Sequence, residues 1–417
     1  MNENNVKTID IIPSKSFAHR AYICDFLAGG TGGGVRCGLD SDDIRATKGC
    51  LDALRAGDDT LDCGESGSTL RFMLPLTGVL GRTVTFRTHG RLAERPMGPL
   101  EDELKAHGMC IDHLKGGEIQ VSGQLEAGLY RLPGTVSSQF ITGLLLSLPY
   151  LDGDSRIELT TPLKSSAYVD ITVSVLADFG VRIHEHEGAY DISGHQEYAC
   201  SGPQGIYEVE GDWSQAAFWF ASGLIGRSPV LIRGLRNDSV QGDRKIVDVL
   251  KNMGGDIEIV SGPDGETDGT GFLARPSELH GTITDVSEIP DLAPAIAAAA
   301  ASAEGVTRLT NAERLRLKES DRIDSITGCL NDLGFTAEGR PDEIIIHGDG
   351  GKDREAVQNT LTAETAGDHR IVMMAAVLSL ITPDRVKISG SNAVSKSYPT
   401  FFDEFDKAGM GNNLIRA

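Results

Sequence analysis

The chain has 417 residues, of which 40% are hydrophobic and 24% are charged, as is usual for a water-soluble globular protein. This length predicts two or three domains. The net charge of -21 argues against general binding to nucleic acid or to a membrane surface, since both require a basic face. The chain shows no signal peptide and no run of about 18 apolar residues, which predicts a cytoplasmic protein. Its cysteines include no CxxC pair, and their spacing fits no metal site.

The first predicted helix follows Ser14 and has unusual charges for its position. Lys15 lies in its first turn and Arg20 about one turn later, although the partial positive charge of a helix N-terminus favours Asp or Glu there. Ser16 and Arg20 share one helix face. Cations, a hydroxyl and free backbone N–H groups at one helix end predict an anion-binding site. The alternative is that Lys15 and Arg20 are solvated surface charges.

A repeated pattern runs through the chain, in which an apolar helix ends on a glycine and a strand follows. Glycine can adopt the left-handed conformation that closes a helix. The intervals between these glycines are 51, 72, 74, 80 and 75 residues. The glycines are Gly57, Gly108, Gly180, Gly254, Gly334 and Gly409.

Polar helix starts form a second series with similar intervals of 52, 72, 74, 79 and 77 residues. Because two independent markers run in phase, they predict a six-fold repeat rather than a chance similarity of glycine-ended helices. The starts lie at Ser14, Ser66, Ser138, Asp212, Asp291 and Asp368.

Strand-like runs with β-branched residues or alternating polarity complete the repeats, so that each repeat reads as helix, strand, helix, strands. The alanine-rich stretch 293–303 predicts a closely packed core helix, and 262–271 predicts a surface loop. The predicted strands include Thr8–Ile12, Thr83–Arg87, Arg156–Leu159, Val181–Ile183, Asp256–Val260 and Glu343–Ile346.

Three repeats make a domain of ordinary size, so six repeats predict an α/β fold (in the broad sense that includes α+β) with two domains. We expect one domain at 14–210, and the other at 211–417 together with 1–13. The short strand before Ser14 could belong to either half by its sequence, and we assign it to the second. We expect the helix starts of both domains to form an active site in the cleft between them.

Three polar motifs of the first half lie at or near predicted helix starts. The glycine turn Gly64–Arg71 would let a ligand approach the backbone because Gly67 has no side chain, although such turns are common before helices. Arg95 lies in a loop bounded by Gly and Pro and suits a bidentate contact with a carboxylate or phosphate. Residues 137–139, Ser-Ser-Gln, supply hydroxyls and an amide, and capping alone would explain only one of them.

The second half contains the densest charged run, Leu317–Ile323, whose alternative interpretation is a solvated helix face with local ion pairs. Asp291 follows Ile-Pro and could be a simple N-cap. Arg370 lies at a helix start, against the dipole preference, and Lys396 lies before the last helix. Such cations beside a few carboxylates predict a substrate with several negative charges and acid–base chemistry.

As an ordered set, these motifs resemble the 5-enolpyruvylshikimate-3-phosphate synthases, the enolpyruvyl transferase family of the shikimate pathway. The resemblance covers essentially the whole chain and implies two domains, each of three βαβαββ-type repeats, that close on the substrates like a clamp. The matches are Lys15-Ser16 with Arg20, Glu94-Arg95-Pro96, Val136-Ser137-Ser138-Gln139, Lys318-Glu319-Ser320-Asp321-Arg322 and Asp368-His369-Arg370.

The resemblance implies transfer of the enolpyruvyl group of phosphoenolpyruvate to the 5-hydroxyl of shikimate 3-phosphate, through a tetrahedral intermediate and with release of phosphate. This step leads to chorismate and the aromatic amino acids, and it is the target of glyphosate. The implied catalytic residues are Asp291 or Lys15 as the base and Glu319 as the proton donor to carbon.

The resemblance also implies the residues that bind each substrate. Those for shikimate 3-phosphate are Lys15, Ser16, Arg20, Ser137, Ser138, Gln139, Ser165, Asp291 and Lys318. Those for phosphoenolpyruvate are Lys15, Gly67, Arg95, Gln139, Arg322, Arg370 and Lys396. We expect a monomer with these two small-molecule substrates, no cofactor, no metal, and neither nucleic acid nor membrane as a partner.

The chain departs from the family pattern at three positions, which bear on the fine geometry of the site. Glu65 stands in the glycine turn where Asn is common, and Phe72 follows the turn's arginine where Pro is common. Arg314 stands where the family has Asn, four residues before the lysine of the charged run.

Two alternatives remain from the sequence. The sister enzyme that uses UDP-N-acetylglucosamine normally carries a reactive Cys in the loop before the Arg-Pro pair, and residues 88–94 contain none. A non-catalytic anion-binding protein is the other alternative, but the carboxylates of Asp291 and Glu319 would be unwelcome in a site that only binds anions.

Overall fold

The computed structural model describes residues 6–260, 271–351, 355–356 and 359–417. The loop expected at 262–271 therefore lies outside the described residues, except for Gly271, which begins a strand. In the described ranges the structure has the following α-helices. They are α1 Lys15–Leu27, α2 Asp42–Ala56, α3 Gly67–Val79, α4 Gly98–Ala106, α5 Ser138–Ser147, α6 Ala167–Asp178, α7 Trp213–Ile225, α8 Ile246–Asn252, α9 Ala293–Ala301, α10 Arg322–Asp332, α11 His369–Leu378 and α12 Phe401–Lys407.

The strands of the same ranges are short. They are β1 Lys7–Asp10, β2 Val35–Arg36, β3 Thr60–Asp62, β4 Val84–Arg87, β5 Met109–His113, β6 Ile119–Gly123, β7 Leu129–Pro133, β8 Ser155–Thr161, β9 His184–His186, β10 Ala189–Ile192, β11 Tyr207–Glu208, β12 Val230–Arg233, β13 Asp256–Val260, β14 Gly271–Arg275, β15 Ile283–Asp285, β16 Glu304–Thr310, β17 Thr336–Gly339, β18 Ile344–Asp349, β19 Thr360–Ala363, β20 Arg385–Ile388 and β21 Leu414–Arg416.

Internal contacts divide the chain into two compact units. One is Pro13–Val209, called the 13–209 unit below. The other combines Met1–Ile12 with Glu210–Ala417 and is called the 210–417 unit. Strand β1 belongs to the latter because it pairs in parallel with β12 and extends that sheet.

Four sheets share one topology, which gives the fold its repeat. In the sheet β3-β4-β6-β5 the first two strands are parallel, and the other two pairings are antiparallel. The sheets β7-β8-β10-β9, β1-β12-β14-β13 and β15-β16-β18-β17 repeat this pattern. Two smaller sheets, β11-β2 and β19-β20-β21, contain parallel pairs. Along the chain, the strands and helices of three of these sheets (β3 to β6, β7 to β10 and β15 to β18) follow the βαβαββ order that the resemblance implies, and β1 takes the first place in the fourth sheet.

The glycine-ended helices confirm the first marker of the repeat. Gly57 closes α2 in the left-handed conformation, with φ of 84° and with its N–H donated back to the carbonyl of Leu54. The other five predicted glycines also have positive φ, between 72° and 98°. They follow α4, α6, α8, α10 and α12.

Five of the six polar helix starts lie where they are predicted, within one residue, and the exception is informative. Helix α9 begins at Ala293, and Asp291 lies before it in the short 3-10 segment Pro290–Leu292. The simple N-cap interpretation of Asp291 is therefore wrong, and its carboxylate is available for other contacts.

One predicted strand is wrong. Val181–Ile183 is irregular, and the strand begins only at His184. The backbone explains the difference, since the N–H of Val181 donates to the carbonyl of Leu176 to close α6. The N–H of Arg182 donates to the side chain of Gln196. Neither group is free to pair with a neighbouring strand.

The cores are built around the helices that follow the polar starts. Every residue of α7 and of α9 is buried, and these two helices pack against each other and against α11. The alanine side chains of α9 allow this close packing, as their sequence predicts. None of the helices in the described part of the chain has the length and apolar character that crossing a bilayer requires.

Candidate active site

In the 13–209 unit, hydrogen bonds tie the starts of α3 and α5 together. Arg71 of α3 donates from Nη1 to Oε1 of Gln139, over 2.8 Å. Gln139 in turn donates from Nε2 to the hydroxyl of Ser68, over 3.0 Å. Ser137 caps α5 by accepting the N–H of Gln139 at 3.2 Å. Gln139, a predicted ligand of both substrates, is thus held at the junction of two helix N-termini.

A second set of polar contacts ties α1 to α2 and α3. Lys15 Nζ lies 2.7 Å from Oδ2 of Asp43, and each side chain is 17% exposed. His19, one turn after Lys15, lies 2.7 Å through Nδ1 from the hydroxyl of Thr47. That hydroxyl lies 2.7 Å from the hydroxyl of Thr69, in the first turn of α3. Buried hydrogen bonds therefore fix the start of α1 relative to the start of α3.

Arg20 is directed into its own unit. Its guanidinium donates to the hydroxyl of Thr172 over 2.8 Å, the carbonyl of Tyr168 over 2.8 Å and the carbonyl of Ser16 over 2.5 Å. It also lies over the ring of Phe72, 5.2 Å from the centroid. Burial lowers the pKa of Arg20 to about 9. Arg20 therefore holds the backbone of two helices, and the interpretation of Arg20 as a solvated surface charge is wrong.

Gly67 is the first residue of α3 and lies against two guanidinium groups. A β-carbon at this position would lie 2.6 Å from Nη1 of Arg71 and 2.7 Å from Nη1 of Arg95. The backbone of Gly67 does not have positive φ, unlike that of Gly64 in the same turn, whose φ is 54°. A side chain at this position would therefore have to displace the ends of two arginine side chains, and no unusual backbone angle requires the glycine.

Of the predicted serines, Ser137 caps α5, Ser138 begins it, and Ser165 lies in the loop before α6. Ser138 and Ser165 are buried, and Ser165 has a φ of 57°, which is unusual for a residue other than glycine. The loop of Ser165 contacts the loop before α5, because the N–H of Lys164 donates to the carbonyl of Gly134 over 3.0 Å. Strained residues of this kind are often found at functional sites.

In the 210–417 unit, Asp291 is the centre of a cationic cluster. Its Oδ1 accepts hydrogen bonds from Nζ of Lys318 over 3.2 Å and from Nη1 of Arg322 over 2.8 Å. Its Oδ2 accepts a hydrogen bond from Nη2 of Arg370 over 3.1 Å. Three cations on one carboxylate favour its ionised form, which is the form that a general base requires.

Arg322 joins three carboxylates and lies at the first position of α10. Its Nε donates to Asp368 and its Nη2 donates to Glu319, each over 2.8 Å. The carboxylate side chains differ in exposure, from 0% for Asp368 to 17% for Asp291 and 27% for Glu319. Glu319 is therefore the one of the three that is most accessible to a substrate. The residues 318–321 form an irregular segment, so the interpretation as a solvated helix face is wrong.

Burial and neighbouring charge shift the pKa values of Asp243 and Lys318, which both interact electrostatically with Asp291. Burial raises the pKa of Asp243 to about 7, and the carboxylate of Asp291 adds to this shift. Burial also lowers the pKa of Lys318, and the charge of Arg322 lowers it further, although Asp291 opposes the change. Both shifts reduce the cost of placing many ionisable groups together.

Arg370 and Lys396, the other predicted phosphoenolpyruvate residues of this unit, lie near the start of α11. Asp368 caps this helix by accepting the N–H of Arg370 at 2.9 Å. Lys396 donates from Nζ to the carbonyl of Gly367, just before the cap, over 3.3 Å. Lys396 lies in the short 3-10 segment Ser391–Lys396 and not in the final helix.

The sequence interpretation missed several residues of the two clusters. Arg71 could have been found, because it is a buried charge between apolar residues of α3. Asp368 was predicted as a polar helix start, but not as the carboxylate that holds Arg322. Asp43 gave no such signal, since acids are common in the first turn of a helix.

Two of the three departures from the family pattern, Phe72 and Glu65, are accommodated in different ways. Phe72 is buried beneath Arg20 and makes an edge contact with the ring of His19, with centroids 6.3 Å apart. Glu65 is exposed, and its side chain lies against Gly90. Phe72 thus supports the start of α1 by packing, whereas Glu65 lies at the surface of the glycine turn.

The described residues contain no group of three or more His, Cys, Asp or Glu side chains placed to hold a metal ion. The groups that are present can bind anions, accept a proton at Asp291 and donate one from a carboxyl group such as Glu319.

Comparison with known proteins gives consistent matches over the whole chain. The family model described as EPSP synthase (3-phosphoshikimate 1-carboxyvinyltransferase) matches residues 55–405. A 3-phosphoshikimate 1-carboxyvinyltransferase of Clostridium kluyveri is 39% identical over 96% of this chain and 94% of its own length. The enzyme of the same name from Halobacterium salinarum is 36% identical over 96% of this chain and 95% of its own length.

Solved structures share the fold. An EPSP synthase of Acinetobacter baumannii superimposes with a TM-score of 0.76, covering 97% of this chain and 95% of that chain at 24% identity. The enolpyruvyl transferase NikO of Streptomyces tendae gives a TM-score of 0.73 at 15% identity, covering 96% of this chain and 94% of that chain. The α/β enolpyruvyl transferase fold expected from the sequence is thereby confirmed.

Proposed function

The chain belongs to the EPSP synthase family, and we propose that its two clusters of polar side chains carry out the family's reaction together. It is a 3-phosphoshikimate 1-carboxyvinyltransferase of the shikimate pathway, which leads to the aromatic amino acids. Its substrates are shikimate 3-phosphate and phosphoenolpyruvate. The enolpyruvyl group passes from the second substrate to the first, and phosphate is released.

Phosphoenolpyruvate carries both a phosphate and a carboxylate, so it needs several cations. We assign Lys15 and Arg95 of the 13–209 unit, and Arg370 and Lys396 of the 210–417 unit, to these charges. Gly67 leaves room for the ligand beside Arg95, and the amide of Gln139 supplies a neutral donor. Arg322 is almost fully buried, and we assign it the positioning of the catalytic carboxylates.

Shikimate 3-phosphate carries a phosphate on a ring with hydroxyl groups, and hydroxyl and amide donors suit it. We assign its phosphate to Ser137, Ser138 and Ser165, because their loops are adjacent. We assign its ring to Ser16, Gln139, Lys318 and Asp291. Arg20 positions the backbone of Ser16, since its guanidinium donates to the carbonyl of that residue.

Asp291 takes the proton from the 5-hydroxyl as its oxygen attacks C2 of phosphoenolpyruvate. The three cations on its carboxylate hold it ionised before the step, and Lys15 supports the developing oxyanion. Glu319 gives a proton to the methylene carbon, C3, as the double bond breaks. The product of this addition is a tetrahedral adduct.

In the elimination step, the protonation of C3 is reversed. Glu319 takes a proton back from C3, the double bond forms again, and the bond from C2 to the phosphate oxygen breaks. The proton that Asp291 accepted leaves with the phosphate. Each carboxylate therefore ends the cycle in the state in which it began.

One observation supports this assignment most strongly. Asp291 accepts hydrogen bonds from Lys318, Arg322 and Arg370, while Arg322 also holds the more accessible Glu319. A base and an acid thus share one guanidinium, which places two carboxylates of different exposure beside the anion-binding groups.

Phosphate release tests the proposal directly. The purified protein is given phosphoenolpyruvate with shikimate 3-phosphate, with UDP-N-acetylglucosamine, or with no acceptor. We expect phosphate release only in the reaction that contains shikimate 3-phosphate as the acceptor. One phosphate should be released for each acceptor molecule consumed. Release with UDP-N-acetylglucosamine would instead indicate the sister enzyme. Binding of phosphoenolpyruvate without release for any acceptor would indicate a non-catalytic protein.

We also propose that the protein works as a monomer in the cytoplasm. The acidic net charge of -21 disfavours association with nucleic acid or anionic membranes. Sedimentation at working concentrations, with and without both substrates, would test the monomer. A stable dimer would contradict this part of the proposal.

A further inference from the structure

The predicted helix start at 211–214 has no role in the function proposed above. Helix α7 begins there, with Asp212 as the N-cap. Asp212 accepts the N–H of Gln215 over 3.1 Å, as a capping residue should. The same carboxylate oxygen also accepts the hydroxyl of Ser214, over 2.6 Å. Both side chains are buried, so this second contact needs an explanation beyond capping.

The other partner of Ser214 is Arg370. Nη2 of Arg370 lies 3.0 Å from the hydroxyl oxygen of Ser214, and it also donates to Oδ2 of Asp291 over 3.1 Å. Nη1 of the same guanidinium donates to the backbone carbonyl of Asp291 over 3.2 Å. The guanidinium is therefore held by Asp291 on one side and by Ser214 on the other.

The direction of each hydrogen bond follows from the chemistry of the groups. A guanidinium can only donate and a carboxylate can only accept. The single hydroxyl hydrogen of Ser214 must therefore point to Asp212, and its oxygen lone pair must point to Arg370. The hydroxyl dipole is aligned between a negative and a positive group, which strengthens both bonds in a buried setting.

We propose that Ser214, oriented by Asp212, is a positioning residue that keeps Arg370 aimed at phosphoenolpyruvate throughout the reaction. The inference rests on the proposed roles of Arg370 and Asp291. When Asp291 accepts a proton it loses its negative charge, and its hold on Arg370 weakens. The contact through Ser214 is not changed by this proton transfer, because Ser214 is bonded to Asp212 and not to Asp291. Arg370 then keeps its orientation while the tetrahedral adduct exists.

Replacement of Ser214 by Ala removes this contact and leaves the backbone cap by Asp212 in place. We expect KM for phosphoenolpyruvate to rise about tenfold, the usual scale for one lost hydrogen bond to a charged group. The KM for shikimate 3-phosphate should stay within about twofold, since neither Ser214 nor Arg370 is assigned to that substrate. Ser214→Thr keeps a hydroxyl and should restore most of the lost affinity.

Ser222→Ala is the matched control. Ser222 lies two turns later in α7 and is also buried, and its hydroxyl donates to the carbonyl of Phe218 over 2.8 Å. If Ser214 only stabilised the helix, both alanine variants would lose a similar amount of thermal stability and leave both KM values unchanged. That result would overturn the inference.

Arg370→Gln separates this inference from the proposed function. If Arg370→Gln raises KM for phosphoenolpyruvate and Ser214→Ala does not, the role of Ser214 is wrong while that of Arg370 stands. If Arg370→Gln also leaves this KM unchanged, the proposed role of Arg370 is wrong and the inference is overturned with it. If both raise it, the Ser214→Ala/Arg370→Gln double variant should be no worse than Arg370→Gln alone, because Ser214 acts through Arg370. Full additivity of the two effects would contradict the inference.

Discussion

The guanidinium of Arg322 and the carboxylate of Asp368 form an ion pair that is closed to solvent. Nε lies 2.8 Å from Oδ2, and the two side chains are 1% and 0% exposed. Although burial opposes ionisation, the charge of Arg322 lowers the pKa of Asp368 below its usual value. Because this pair fixes Arg322, its remaining N–H groups reach Asp291 and Glu319 from a rigid position.

The first prediction concerns Glu319 as the proton donor to carbon. Glu319→Gln should lower turnover by about two to four orders of magnitude, the usual contribution of a general acid. Thermal stability should change little, because Asp368 and Asp291 still hold Arg322. Phosphate release and a thermal melt measure both effects. Glu313→Gln, an exposed acid in the preceding 3-10 segment, serves as the control. Near-normal turnover of Glu319→Gln would remove this residue from the role.

The second prediction contrasts two glycines of one turn. Gly67→Ala should raise KM for phosphoenolpyruvate and weaken glyphosate still more, because the new methyl would displace the guanidinium groups of Arg71 and Arg95. Gly64→Ala meets no atom within 4 Å but has a φ of 54°, so it should instead lower stability by about 1 kcal/mol. Two saturation curves and a melt for each variant decide it. If Gly67→Ala lost much stability but did not selectively raise KM for phosphoenolpyruvate, the proposal that Gly67 leaves room for this ligand would be contradicted.

The third prediction concerns pH and His19. Burial and then the charges of Lys15 and Arg20 lower the pKa of His19 well below its usual 6.5. Between the lowered pKa of the folded chain and 6.5, the unfolded chain binds a proton at His19 and the folded chain does not. Stability should therefore fall as pH decreases below 6.5, by up to about 1.4 kcal/mol for each pH unit until the folded pKa is reached.

His19→Gln should remove that part of the pH dependence while keeping a donor or acceptor near Thr47. Denaturant unfolding between pH 5 and pH 8 measures the slope. The control is His195→Gln, since the side chain of His195 is 83% exposed. Parallel stability curves for the wild type and His19→Gln would show that His19 is not buried in its neutral form.

The fourth prediction concerns the turn before α11. Ala366 has a φ of 51° in the turn that the N–H of Asp368 closes on the carbonyl of Thr365, over 2.9 Å. An alanine in this region is strained, so Ala366→Gly should stabilise the protein by about 0.5 kcal/mol after the greater flexibility of the unfolded chain is counted. Ala28→Gly is the control, because Ala28 is exposed with φ of -73° and should lose stability. A loss of stability in both variants would show that Ala366 is not strained.

Local chemistry explains which features could be predicted from the sequence. Helix-closing glycines such as Gly57 are readable because their conformation depends on the residue itself. Asp291 shows the limit, since a carboxylate before an alanine helix looks like a cap until Lys318, Arg322 and Arg370 are seen to converge on it. These partners lie 27 to 79 residues away, and nothing in the local sequence indicates the pairing.

The local sequence also fails to indicate where a backbone or side-chain group finds a distant partner instead of the expected one. Val181–Ile183 has the composition of a strand, but its backbone N–H groups are used to close a helix and to bind the side chain of Gln196. Ser214 looks like an ordinary residue of a first helical turn. Its contact with Arg370 spans 156 residues and depends on the packing of α7 against α11.

We propose that residues of both units act on the same phosphoenolpyruvate, and one measurement tests this proposal most directly. Phosphate release is followed against phosphoenolpyruvate, at saturating shikimate 3-phosphate, for Arg95→Gln and for Lys396→Gln. Neither side chain is fully buried, so both variants should fold. Arg87→Gln and Arg275→Gln remove surface charges from the same two units as controls. The account predicts that both test variants raise KM for phosphoenolpyruvate at least about tenfold, while the controls do not. An unchanged KM in either Arg95→Gln or Lys396→Gln would contradict it.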